Sequence, residues 1–139
     1  MKLSRRDALW AGLGGIAAAT LSNPVFAKTV EELTADFTAG ATAGTGGITI
    51  TAPEIAENGN TVPVSVDAPG AVAIMLLAAG NPTPAVATFT FGPAAGSQMV
   101  ATRIRLAATQ DVIAVAKMAD GSIVQAATTV KVTIGGCGG

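Results

Sequence analysis

Met99-Val100-Ala101-Thr102-Arg103-Ile104-Arg105-Leu106 places Val100, Thr102, Ile104 and Leu106 on one face and Arg103 and Arg105 on the other. A period of two residues marks an extended strand, because successive side chains of a pleated backbone point to opposite sides. This strand has one dry face and one wet face, as in an antiparallel sheet packed on a single side. Downstream, Val112 to Met118 reads as the next strand and Asp120-Gly121 as a hairpin turn. Ile123 to Ile134 then alternates again, with Val130, Val132 and Ile134 expected on the buried face to clamp the last strand. Upstream lie Val86 to Phe91 and the apolar run Ala71 to Ala79, which includes Ile74, Met75, Leu76 and Leu77. That run reads first as a fully buried core strand and second as part of an apolar face shared with a partner. Ala68-Pro69-Gly70 turns into it, and before it comes Val62-Pro63-Val64-Ser65-Val66. Pro63 implies an edge or bulged position, since proline has no N–H for a ladder. Asn58-Gly59-Asn60 is a turn signal after Pro53-Glu54-Ile55, and Ile48-Thr49-Ile50-Thr51 opens the β region.

Six or seven short strands separated by turns every ~8 to 12 residues predict an all-β, immunoglobulin-like β-sandwich over 48–134. Ahead of it, 28–47 holds one short helix over Thr29 to Phe37 and a Gly/Thr-rich connector. Val30, Leu33 and Phe37 fall at helical spacing, Glu31 and Glu32 occupy the first turn, and Gly40 lies beyond the end.

The last five residues, Gly135-Gly136-Cys137-Gly138-Gly139, hold the only cysteine of the 139-residue chain among four glycines. A thiol so placed has no packing partner, and glycine backbones sample conformations denied to other residues. Residues 135–139 are therefore expected to form a flexible arm that bears a reactive sulfur and spans roughly 16 to 18 Å when extended. Without side chains, such an arm could thread a partner's narrow channel. Prenylation does not fit, because it needs the cysteine fourth from the end.

At the other end, Ser4-Arg5-Arg6-Asp7-Ala8-Leu9 is a twin-arginine pattern followed by a mild apolar stretch, Ala8 to Leu21. That stretch is shorter than the ~20 residues of a transmembrane helix, so no permanent membrane insertion is expected. Residues 1–27 read as a twin-arginine signal peptide with Arg5 and Arg6 as its export signal, cleaved after Val25-Phe26-Ala27. The expected location is periplasmic.

Composition excludes several functions. The net charge is −1, and without the leader five basic residues face eight acidic ones, so nucleic acid is not an expected partner. Phe37, Phe89 and Phe91 are the only aromatics left, too few for a stacking platform. The chain has no histidine and no visible nucleotide or metal motif, so no cofactor is expected. A lone thiol in an oxidising compartment points to intermolecular chemistry.

The terminal Gly135 to Gly139 motif, the twin-arginine leader and the segment Pro53-Glu54-Ile55-Ala56-Glu57-Asn58-Gly59-Asn60-Thr61-Val62-Pro63-Val64 together resemble the SoxY family of sulfur carriers. The resemblance covers nearly the whole chain. It implies a non-catalytic periplasmic carrier in thiosulfate oxidation, paired as a heterodimer with a SoxZ-like subunit, with intermediates attached covalently to Cys137. It further implies three transient partners: a haem-containing SoxXA that conjugates thiosulfate to the cysteine, a SoxB hydrolase that releases sulfate, and a sulfane dehydrogenase that oxidises the remaining sulfur.

The residues agree with that division of labour. Nucleophilic catalysis needs a base or cation beside the thiol, and the arm supplies neither. The terminal carboxylate, two residues away, disfavours thiolate, so the thiol pKa is expected at or above the ~8.5 of a free cysteine. Two other functions use the same tail: a ubiquitin-like carrier activated as a thiocarboxylate on Gly138-Gly139, and a structural sandwich that dimerises through Cys137. Export argues against the first, whose activation uses cytosolic ATP. Met75, Met99 and Met118 with Cys137 would form a soft copper set, but methionine is a common core filler and the tether is loose, so no metal is expected. Arg103, Arg105, Asp111, Lys117 and Lys131 read first as a solvated face and second as charges that guide docking, and none is assigned as a site.

Overall fold

The structure is a computed structural model and describes residues 26–136. Arg5 and Arg6 of the expected leader, and Cys137, Gly138 and Gly139 of the expected arm, lie outside the described residues. One helix and eight strands follow in order: α1 (Val30–Thr38), β1 (Thr49–Thr51), β2 (Ile55–Asn58), β3 (Val62–Asp67), β4 (Ala71–Ala78), β5 (Ala85–Thr90), β6 (Met99–Ile104), β7 (Gln110–Met118) and β8 (Ile123–Ile134). They form a two-sheet, immunoglobulin-like sandwich, with one sheet ordered β1-β3-β6 and the other β2-β8-β7-β4-β5.

The strands exceed the expected six or seven because Pro53 divides the chain between two sheets. Proline cannot donate to a ladder; β1 ends before it and pairs with β3, while β2 begins after it and pairs with β8. Pro63 obeys the same physics in an unexpected place. Its strand, β3, is the middle one of three, but β1 pairs only with Ser65 to Asp67. The β1 side of Pro63 is therefore unpaired, a local edge inside a central strand.

The main core lies between the sheets. Val62, Val64 and Val66 of β3, with Ile104 and Leu106, meet Ile74 and Leu76 of β4, Val112 and Ala114 of β7, and Val130 of β8. Arg103 and Arg105 are exposed, as the alternation predicts. A smaller cluster covers the outer face of the larger sheet, where Val30, Leu33 and Phe37 of α1 pack on Met75, Leu77, Val115 and Ile123. β4 is thus buried on both faces by its own chain, Ile74 and Leu76 toward the other sheet and Met75 and Leu77 toward α1. That settles the apolar run as a core strand.

Helix α1 is set by a capping box: Glu32 N–H donates to Thr29 Oγ1 at 3.2 Å, and Thr29 N–H donates to Glu32 Oε2 at 2.8 Å. Such caps contribute about 1 kcal/mol. The helix ends where Ala39 turns left-handed at φ 53°. The connector after it is anchored: Gly44 donates to the Ile123 carbonyl at 2.8 Å and accepts from Gln125 at 2.9 Å. Gly44 and then β2 cover successive parts of the outer edge of β8, which would otherwise be an open template for pairing.

One part of the expected clamp fails. Val130 is fully buried and Val132 packs against the core, but Ile134 is 65% exposed. The β7 ladder on β8 reaches only as far as Gln110 opposite Val130, so Ile134 lies on the dry face past the point where the sandwich covers it.

Candidate functional site: the base of the C-terminal arm

The parallel pairing of β2 with β8 determines what surrounds the tail. Ile55 lies opposite Lys131, Ala56 opposite Val132 and Asn58 opposite Ile134. Parallel strands finish at the same end, so the Gly59-Asn60 turn that leaves β2 sits beside Gly135-Gly136, which leave β8. This turn joins strands of different sheets and is not a hairpin.

Three backbone hydrogen bonds tie the two segments to each other and to the β6–β7 loop. Gly59 N–H donates to the Ile134 carbonyl at 2.7 Å, Leu106 N–H donates to the Gly59 carbonyl at 2.8 Å, and Gly136 N–H donates to the Leu106 carbonyl at 2.9 Å. Gly59, Leu106 and Gly136 are buried. The packing leaves no room for a side chain. A Cβ on Gly59 would fall on the Leu106 carbonyl oxygen and lie 2.9 Å from Gly136 N. On Gly135 it would fall on the Ala107 carbonyl oxygen, and on Gly136 against the backbone of Gly59 and Asn60.

None of the three glycines is in the left-handed region, unlike the turn glycines Gly70 at φ 85° and Gly121 at φ 87°. Close approach, rather than backbone freedom, excludes a side chain at these positions. The sequence reading starts the flexible arm at Gly135; of its five residues the structure describes two, the exposed Gly135 and the buried Gly136, which is bonded to the Leu106 carbonyl.

The loop that receives Gly136 is braced from behind. Asn81 Nδ2 donates to the Arg105 carbonyl at 2.8 Å, and Asn81 Oδ1 accepts from Ala107 N–H and from Gln110 Nε2, both at 2.9 Å. Gln110, a buried polar residue at 8% exposure, also donates to the Ala108 carbonyl at 3.0 Å and accepts from Gly80 N–H at 2.8 Å. Thr109 Oγ1 accepts from Val132 N–H at 3.0 Å. Asn81 therefore grips the residues on either side of Leu106. Sequence reasoning missed Asn81, Gln110 and the role of Gly59. The only available signals were the Gly80-Asn81-Pro82 turn pattern and a glutamine at an inward strand position.

The other singled-out residues have local roles or none. The Lys117 ammonium lies 4.5 Å from the centre of the Phe37 ring, and Asp111 accepts from Thr129 Oγ1 at 2.6 Å. Arg103, Arg105 and Lys131 are exposed. Met75 faces α1, Met118 packs toward the inter-sheet core and Met99 is 55% exposed, so the three do not share a face. Among the described residues no cluster of three or more His, Cys, Asp or Glu side chains could hold a metal, and no helix is long and apolar enough to cross a membrane.

The fold and its braced terminus define a small two-sheet β domain whose last strand leads into a cysteine-bearing tail. A family model described as sulfur oxidation protein SoxY matches residues 34–137, and the chain belongs to the SoxY family of sulfur carriers. It is similar to the solved sulfur carrier protein SoxY from Chlorobium limicola f thiosulfatophilum, with 35% identity and a TM-score of 0.65 over 76% of this chain and 97% of that one. The fold alone is shared with a superoxide reductase (neelaredoxin) from Ignicoccus hospitalis, at 19% identity and a TM-score of 0.55 over 80% of this chain and 98% of that one. A putative superoxide reductase from Thermotoga maritima shares it too, at 17% identity and a TM-score of 0.52 over 81% and 98%. Comparison with curated proteins found no match.

Proposed function

We propose that this chain is the covalent substrate carrier of a periplasmic thiosulfate-oxidising system, with Cys137 as the attachment point and a SoxZ-like subunit as its stable partner. The family match carries this reading, because the matched region, residues 34–137, extends beyond the last strand to Cys137 in sequence. In the first step the Cys137 sulfur bonds to the sulfane sulfur of thiosulfate. Two electrons pass to a haem-containing SoxXA-type partner and the thiol proton goes to solvent. Water then attacks the terminal sulfone sulfur in a SoxB-type hydrolase, sulfate leaves, and a persulfide remains on Cys137. A sulfane dehydrogenase oxidises that outer sulfur to a sulfonate, with oxygen taken from water and the electrons and protons passed to the dehydrogenase's electron acceptor and to solvent, and a second hydrolysis releases sulfate and restores the thiol.

Each activating group belongs to a partner, which suits a tail with no base or cation beside its thiol. The leader that contains Arg5 and Arg6 would deliver the folded chain to the periplasm, with cleavage before Lys28. The test is the intact mass of protein purified from the periplasm of cells grown on thiosulfate, before and after reduction, with mapping of the C-terminal peptide. Reducible additions of sulfur or thiosulfonate on Cys137 support the carrier. Sulfur on the terminal carboxyl of Gly139, or only a disulfide-linked dimer, rejects it in favour of the other two functions.

A further inference from the structure

We propose that Gly59, far from the tail in sequence, is a positioning residue that fixes where the carrier arm leaves the domain. The seam made by Gly59, Gly136 and Leu106 docks the first pair of the glycine tail, Gly135-Gly136, and leaves at most residues 137–139 for reach. The seam stands on geometry alone; its consequence for sulfur transfer rests on the carrier reading above.

Three observations converge on Gly59. It donates to Ile134 at 2.7 Å and accepts from Leu106 at 2.8 Å, so its peptide groups join the end of β8 to the β6–β7 loop. It is buried, and any side chain there would strike both the Leu106 carbonyl and the Gly136 amide. Its φ lies outside the left-handed region, so conformation alone would admit alanine. What the position requires is the absence of a side chain at the point where the tail crosses it.

Reach follows from this. Five free residues would span roughly 16 to 18 Å, whereas three span roughly 10 to 11 Å. Cys137 follows Gly136 by a single peptide bond, so the chain leaves the described domain from the corner formed by Asn60 and Ala107. A partner enzyme must bring its reacting centre up to that corner. The shorter tether raises the effective concentration of the thiol there and restricts which pockets it can enter.

The experiment uses the full exported chain together with any subunit that co-purifies. Cys137 is the only cysteine, so a nitroxide placed on it reports tail motion directly, and amide exchange reports the seam. In the parent protein we expect the Gly136 amide to exchange about tenfold or more slowly than in a free chain. The spin label should tumble faster in Gly59→Ala and Gly136→Ala but not in Gly96→Ala, where an added Cβ meets nothing within 4 Å. If Gly59→Ala does not fold, Gly136→Ala, placed beyond the last strand, decides the matter at an unchanged thermal midpoint. Free-chain exchange at Gly136, or identical spectra for Gly136→Ala and Gly96→Ala, overturns the proposal. Neither readout needs sulfur on the thiol, so a failed carrier reading and a failed seam give different results.

Discussion

Gly59, Gly135 and Gly136 show that a glycine can be required for two unrelated reasons. Gly70 and Gly121 turn the chain at positive φ, whereas the three at the arm's base let backbones meet. The distinction is invisible in a sequence, where Asn58-Gly59-Asn60 reads only as a turn. Residue chemistry also bears on Cys137. The tail sequence Gly135 to Gly139 carries no basic residue, so the thiol is expected to stay mostly protonated at neutral pH. Alkylation of Cys137 by a neutral reagent should therefore rise nearly tenfold per pH unit through neutrality and level off only around pH ~8.5 or above. A rate that levels off near neutrality would show an acidified thiol and count against activation by partners. Asp120 adds a titration with a definite sign. Its carboxylate accepts from Ser122 Oγ at 2.6 Å and Ser122 N–H at 2.8 Å, and these bonds hold its pKa below the ordinary 3.8. The stabilisation is complete above that value and is lost as pH falls through the lower, folded one. Thermal midpoints of the parent and Asp120→Ala should differ at neutral pH and converge in acid; a gap independent of pH would refute the assignment.

At the scale of elements, β2 and the turn after it matter more to the tail than their length suggests. Four residues of β2, paired in parallel with β8, bring a turn some 75 residues away in sequence to the root of the arm. The β4–β5 turn acts from the opposite side through Asn81. Replacing Asn81 by alanine removes the acceptor for Ala107 N–H and Gln110 Nε2, leaving polar groups in a partly buried site. We expect a loss of about 1 to 3 kcal/mol in denaturant unfolding, together with faster amide exchange at Gly136. A change below about 0.5 kcal/mol, the range of ordinary surface substitutions, would mean the loop is braced elsewhere.

For the molecule as a whole, the sandwich was legible because alternation and turn residues are local signals. Val100 to Leu106 alternates as the packing demands, and Ala68-Pro69-Gly70 and Asp120-Gly121 turn where they should. What escaped was set by contacts distant in sequence. The division of β1 from β2 depends on which sheet each joins, Ile134 is exposed because β7 stops short of it, and Gly59 meets Gly136 only after both sheets have closed. The tail's cysteine was conspicuous; the geometry beneath it was not. The proposed export concerns the entire folded unit as well. If the proposed SoxZ-like subunit lacks a leader and crosses in complex with this chain, converting Arg5 and Arg6 to lysine should leave both in the cytoplasm on cell fractionation, and independent export of the subunit would rule out transport as a complex. The placement of β8 has a mechanical consequence too. It runs for twelve residues between an antiparallel and a parallel neighbour and points its end into the tail. A partner that pulls on a captured cysteine loads those ladders in shear, along the strand and across many hydrogen bonds at once, so the domain resists tension where it is gripped.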